Sequence, residues 1–216
     1  MHSAPIELVA FDMEGVLTRD PTVWEIMHRR LGVWEPQARS YWERYQAGEF
    51  PYDEFARMDT ALWRGAPAGL LEQAARQVRW MDGCGEVLGA LRRAGVRVVV
   101  ISNGLLCVAE RLAQEFDVGP VHANRALARG GALTGEIDIL VPYESKGALL
   151  RRVAAELGVP RERTAAVGDS ASDIAMFREA ALSIAFRPFH QSVADSAHHC
   201  VAGGDLRPVL SLLRVA

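Results

Sequence analysis

Cysteine is scarce in this sequence: Cys84, Cys107 and Cys200 stand far apart in 216 residues. Such spacing excludes a disulfide framework and a zinc knuckle, and makes a reducing cytoplasm the expected compartment. Long apolar runs are missing too; none approaches the roughly 18 residues of a membrane span, so no membrane partner is expected. Nor is there an excess of one charge. The formal net charge is −3 and the arginines are scattered rather than striped, which leaves no footprint for nucleic acid. There is no internal repeat and no low-complexity stretch. The opening "MHSAPIELVAF" leads straight into a strand pattern without a signal-peptide hydrophobic region, so no leader is expected. What is present is a globular composition, 50% hydrophobic and 24% charged. It suits one sizeable domain, or a core with a modest insertion, as a monomer or homodimer.

The apolar pattern changes period along the chain. "IELVAF" (6–11) reads as a short buried strand. After it, Val23, Ile26, Met27 and Leu31 share a helical face, and Pro36 and Pro51 suit the first positions of further helices. The helix after Pro51 shows a stripe of Phe55, Met58 and Leu62; the one after Pro67 carries Leu70, Leu71, Ala74 and Val78. Four tryptophans, Trp24, Trp34, Trp42 and Trp63, lie in this all-helical segment and are expected to build its small core. From residue 84 strands and helices alternate: "CGEVLGALRRAG" is a helix, "VRVVVIS" a parallel central strand, and a further helix spans about 105–116. "VHANRALARGGALTGEIDI" is a hairpin turned at Gly130-Gly131, "KGALLRRVAAELG" a helix, "TAAVGD" a strand, "ASDIAMFREA" a helix and "LSIAF" a strand. This rhythm predicts an α/β fold: a doubly wound parallel, Rossmann-like sheet with a small all-helical cap inserted after the first strand. The core would take 1–19 and 80–216, the cap 20–79. "AHHC" (197–200) suits an edge strand better than a metal site.

In an open parallel sheet, ligands bind at the carboxyl ends of the strands. Those ends carry Asp12 and Glu14 after the first strand, and Ser102-Asn103-Gly104 after "VRVVVI". Gly168-Asp169, with Ser170, Ser172 and Asp173, follows "TAAV", and Lys146 opens the helix before it. Carboxylates suit a hard cation such as Mg²⁺. A hydroxyl, backbone N–H groups and a lysine suit a phosphate. Taken singly, Ser102 could be an N-cap, Asp169 and Asp173 could cap a helix, and Lys146 could lie on the surface. Their joint placement at three strand ends favours a site.

These residues resemble the four motifs of the haloacid-dehalogenase superfamily, in its phosphoserine phosphatase branch. "DMEGV" is similar to the first motif, "VISNG" to the second, Lys146 to the third and "GDSASD" to the fourth, while "HANRALARGGALTG" is similar to that branch's hairpin. The resemblance implies that Asp12 is a nucleophile forming an aspartyl-phosphate. It implies Mg²⁺ held by Asp12, the Glu14 carbonyl and Asp169, steadied by Asp173. Ser102, Asn103, Gly104 and Lys146 would bind the phosphoryl group, with Ser172 beside them, and Glu14 would be the acid and base.

Two positions depart from the pattern. Glu14 stands where the family usually has aspartate, and a related group with glutamate there hands the phosphoryl group to an alcohol. The arginine that grips a substrate carboxylate, seven residues after an aromatic, falls from Tyr52 onto Asp59; the acid that meets the substrate amine falls on Pro21, with Asp20 next to it. Asp59 is thus expected to meet a hydroxyl or amine of the substrate. The function implied is Mg²⁺-dependent hydrolysis of a small phosphorylated metabolite, phosphoserine first. Phosphotransfer to an alcohol, a different phosphometabolite, and a non-catalytic phospholigand-binding module are the alternatives.

Overall fold

The computed structural model describes residues 5–214; residues 1–4 and 215–216, part of the expected core, lie outside the described residues. The strands are β1 (Leu8–Phe11), β2 (Thr18–Arg19), β3 (Arg79–Trp80), β4 (Arg97–Leu105), β5 (Val121–Arg129), β6 (Ala132–Asp138), β7 (Thr164–Gly168), β8 (Leu182–Phe186) and β9 (His199–Val201). Between β2 and β3 lie α1 (Val23–Leu31), α2 (Arg39–Gln46), α3 (Tyr52–Ala61) and α4 (Gly69–Ala75). The other helices are α5 (Cys84–Arg93), α6 (Leu106–Phe116), α7 (Lys146–Glu156), α8 (Ile174–Glu179), α9 (Gln191–Asp195) and α10 (Pro208–Leu213). None is long and apolar enough to cross a membrane.

Seven strands form one sheet in the order β6-β5-β4-β1-β7-β8-β9, parallel throughout except for the β5–β6 hairpin. The pleat of β1 explains the two-layer packing. Val9 and Phe11 enter one core with Leu88 and Leu91 of α5 and Leu112 of α6. Leu8 and Ala10 enter the other with Leu150 and Val153 of α7 and Met176 and Phe177 of α8. A strand covered on both faces must be apolar at every position, and "LVAF" is. β4 and β7 flank β1, with Phe11 opposite both Val100 and Val167. The carboxyl end of β1 is therefore the switch point where such sheets bind ligands. β9 forms the edge, as the "AHHC" pattern predicts.

The helical segment is tied down at its neck and on its far side. β2 pairs antiparallel with β3 at its neck. Its far side meets the β5–β6 hairpin, where Gly65 N–H donates to the Leu133 carbonyl at 2.9 Å and Leu133 N–H to Ala66 at 2.8 Å. α1 starts at Thr22, whose side chain accepts from Glu25 N–H at 3.3 Å, stops at Gly32 in the left-handed region (φ 68°), and buries Val23, Ile26 and Met27 as expected. α3 corrects the expectation. Pro51 is its N-cap rather than its first residue, and the inward face is Ala56, Asp59, Thr60 and then Trp63. Phe55, Met58 and Leu62 are only half-buried. Trp24 and Trp63 do pack together, ring centroids 5.2 Å apart. Trp42 does not join them and is 43% exposed.

Candidate active site

Four segments meet at the end of β1. Asp12 follows the strand directly and is fixed by its N–H donating to the Val167 carbonyl at 2.9 Å. Lys146, the first residue of α7, donates to Asp12 Oδ1 at 2.7 Å and to Asp173 Oδ1 at 2.6 Å. The other oxygen of Asp173 accepts from the N–H groups of Asp169 (3.0 Å) and Ser170 (2.9 Å) and from the Ser170 hydroxyl (2.9 Å). One aspartate thus ties the β7 loop to the lysine. Lys146 is the only lysine in the sequence, all other Lys/Arg residues being arginine, a signal that could have singled it out from composition alone.

The loop after β4 supplies the neutral side. Ser102 Oγ accepts from Gly104 N–H at 3.0 Å, and the Asn103 side chain donates to the Val141 carbonyl at 2.8 Å. The Asn103 carbonyl accepts from Asn124 at 2.8 Å and from the Tyr52 hydroxyl of α3. Tyr52 is thus a polar link between the helical segment and this loop, which sequence reasoning used only as a counting point.

Electrostatics follow from burial. Desolvation, against the opposing pull of Lys146, holds the Asp12 carboxyl up at about 6. Burial, with the Asp12 charge adding to it, pushes Glu14 up to about 8, and burial with Asp12 and Asp173 pushes Asp169 well above the carboxylate range. Burial would lower Lys146, but Asp12 and Asp173 outweigh it and hold the ammonium above its ordinary value.

The residues fit a divalent cation. One oxygen each from Asp12, Asp169 and Asp173 lie within 4.8 Å of one another, an all-oxygen donor set with one lysine against three acids. Gly15 (φ +86°) makes room for it: a Cβ there would sit 1.9 Å from Asp169 Oδ2. Only glycine takes that backbone conformation freely and leaves the carboxylate its place.

Of the sequence-predicted residues, Asp12, Glu14, Ser102, Asn103, Gly104, Lys146, Asp169 and Ser172 line one cavity of about 760 Å³, with Asp173 directly behind. Asp59 and Asp20 do not line it. Asp59 is buried in the helical segment, its Oδ1 3.8 Å from His28 Nε2, because α3 turns that side toward α1. This approach is not an ion pair: burial pushes Asp59 up to about 8 and His28 down to about 4, so both are neutral in between. Asp20 is exposed, its carbonyl accepting from Arg79 at 2.7 Å. Sequence reasoning missed the cavity's outer wall, which includes Trp42, Tyr45, Phe50, Asp53, Tyr143 and Phe189. These come from scattered segments and share no period.

A family model described as haloacid dehalogenase-like hydrolase matches residues 9–178. The phosphoserine phosphatase of Methanocaldococcus jannaschii is 30% identical over 211 residues, covering 96% of this chain and 98% of that protein. The phosphoserine phosphatase SerB2 of Mycobacterium tuberculosis is 34% identical over 193 residues, 88% of this chain but 47% of that longer protein. Among solved structures, a phospho-aspartyl intermediate analogue of phosphoserine phosphatase has a TM-score of 0.86 at 27% identity, covering 96% of this chain and 99% of that one. A substrate-bound phosphoserine phosphatase complex has a TM-score of 0.87 at 26% identity, covering 97% and 99%.

Proposed function

The chain belongs to the haloacid dehalogenase-like hydrolases, and from that membership we propose that it is a phosphomonoesterase working through Asp12, with phosphoserine the substrate its relatives' names bring to it. The observation that carries this reading is the Lys146 ammonium bridging Asp12 and Asp173 at the end of β1, with Asp169 alongside. It neutralises a carboxylate that has to approach a dianion.

Lys146 engages Oδ1 of Asp12, which leaves Oδ2 to attack phosphorus. The ester P–O bond breaks as the Asp12–phosphorus bond forms, and Glu14, lining the same cavity, gives its proton to the leaving alkoxide. Glu14 then takes a proton from water, the water oxygen bonds to phosphorus, and the bond to Asp12 breaks. Inorganic phosphate leaves and both acids are restored. Ser102 and the N–H groups of its loop hold the phosphoryl oxygens in line. Asp12, Asp169 and the Glu14 carbonyl would hold Mg²⁺, oriented by Asp173; when bound it supplies positive charge beside the phosphoryl oxygens. Residues 20–79 serve as a cap over a core of 1–19 and 80–216, with Tyr52 its contact to the Asn103 loop.

Asp12→Asn is the test. It should lower kcat by at least about 10³-fold with the fold intact, because it removes the nucleophile and keeps the shape. Chelation should stop the wild-type enzyme and Mg²⁺ should restore it. Retention of a tenth of the activity by the variant, or full activity in excess chelator, would overturn the reading.

A further inference from the structure

The cavity over Asp12, about 760 Å³, is in the upper half of the roughly 300–1,000 Å³ range that holds drug-sized ligands. The aspartates, Lys146 and the Ser102 loop converge in one part of it. Its lining is also aromatic, with Trp42, Tyr45, Phe50, Tyr52, Tyr143 and Phe189, and Tyr143 packs against Tyr52 at 5.8 Å. Trp42 (43%) and Phe189 (63%) are two of the three large apolar side chains left exposed among the described residues, and both border this one opening. Exposed apolar groups scattered singly mean little; two at one rim mark a contact surface. Tyr45 is backed by Phe55, stacked at 4.8 Å, and Phe50 by the Arg44 guanidinium 5.1 Å from its centroid.

Beyond the groups around Asp12 the cavity is richer in acids than in bases. Apart from the groups around Asp12, its acids are Asp53 and Glu144 and its one histidine is His190; no arginine lines the cavity, and Lys146 is engaged by two aspartates. Asp53 Oδ1 is buried without a hydrogen-bond partner. A carboxylate placed beside these rings would meet two acids and no arginine or free lysine, whereas an ammonium would meet both acids and the negative faces of the rings.

We propose that the part of the cavity lined by these rings, Asp53 and Glu144 is a leaving-group subsite for an ammonium without a carboxylate, so that phosphomonoesters of amino alcohols and quaternary ammonium alcohols are further substrates. The inference rests on the phosphomonoesterase reading above and adds the class of alcohol. The chemistry is the same displacement: the ester P–O bond breaks, the phosphoryl group passes to Asp12 and then to water, and the amino alcohol leaves carrying the proton from Glu14. Phosphoserine enters the same site, but its carboxylate finds no positive partner there.

The test compares kcat/KM for phosphocholine, its neutral twin 3,3-dimethylbutyl phosphate, phosphoethanolamine and phosphoserine, with p-nitrophenyl phosphate as a report on the chemistry alone. Phosphocholine should exceed its neutral twin and phosphoserine at least tenfold, and Asp53→Asn should bring the phosphocholine-to-twin ratio toward one. Equal rates for phosphocholine and its twin, a tenfold preference for phosphoserine, or a ratio indifferent to Asp53→Asn would overturn the subsite while p-nitrophenyl phosphate turnover leaves the phosphomonoesterase reading standing. Loss of p-nitrophenyl phosphate turnover as well would refute that reading, and the subsite with it.

Discussion

Asp59→Asn tests the interior of the cap through pH. The folded carboxyl keeps its proton up to about 8, because burial disfavours the charged form, whereas in the unfolded chain it ionises near 3.8. A raised acid contributes stability that is fully present below the unfolded value and is lost as pH rises toward the folded one. Each unit in that window is about 1.4 kcal/mol, so wild type should lose about 3 kcal/mol between pH 5 and pH 7 on this account. Asparagine has the same shape and does not titrate. His28 moves the other way, held at about 4 against an ordinary 6.5, so its contribution is present above 6.5 and lost as pH falls toward 4. It is present in both proteins and cancels in their difference. Any pH-independent cost of the substitution cancels as well. The assay is urea unfolding of metal-free wild type and Asp59→Asn at pH 5 and pH 7, comparing the two differences in unfolding free energy. The variant should gain about 2–3 kcal/mol on wild type over that interval. A difference that does not move with pH would mean that Asp59 is already ionised or solvated in the folded protein. A change of opposite sign would mean that it pairs with a charged His28, across the 3.8 Å that separates them.

Gly15→Ala should weaken metal binding and lower kcat at least about tenfold with the far-ultraviolet circular dichroism unchanged, since its Cβ would land 1.9 Å from Asp169 Oδ2 at a φ of +86°. Wild-type metal affinity in that variant would show that Asp169 has room to move. Lys146, the only lysine and 1% exposed, should resist an amine-reactive label in the native protein and react after unfolding, as read by peptide mass spectrometry. Equal labelling in both states would place the ammonium in solvent and dissolve the network around Asp12.

What the sequence made legible depended on how far each polar residue lies from its partner. The sheet was readable because "LVAF", "VRVVVI" and "LSIAF" are short, apolar at nearly every position, and separated by helix-length segments. The site was readable because residues just past strand ends share one edge of the sheet wherever the helices lie. Asp59 was not, since its partner His28 stands 31 residues away on another helix and no local pattern joins the two. Counting seven residues on from Tyr52, to the position of the family's arginine, placed Asp59 toward substrate. In the structure it lies inside the helical segment, where a carboxyl that keeps its proton can be buried beside a neutral imidazole. Asp173 shows why the weighing of cap against site was itself too narrow. Its Oδ2 makes the capping box with Ser170, as a helix-capping aspartate would, and its Oδ1 holds Lys146, as a site residue would. A carboxylate has two oxygens, and here the local bond sets the direction in which the distant one points.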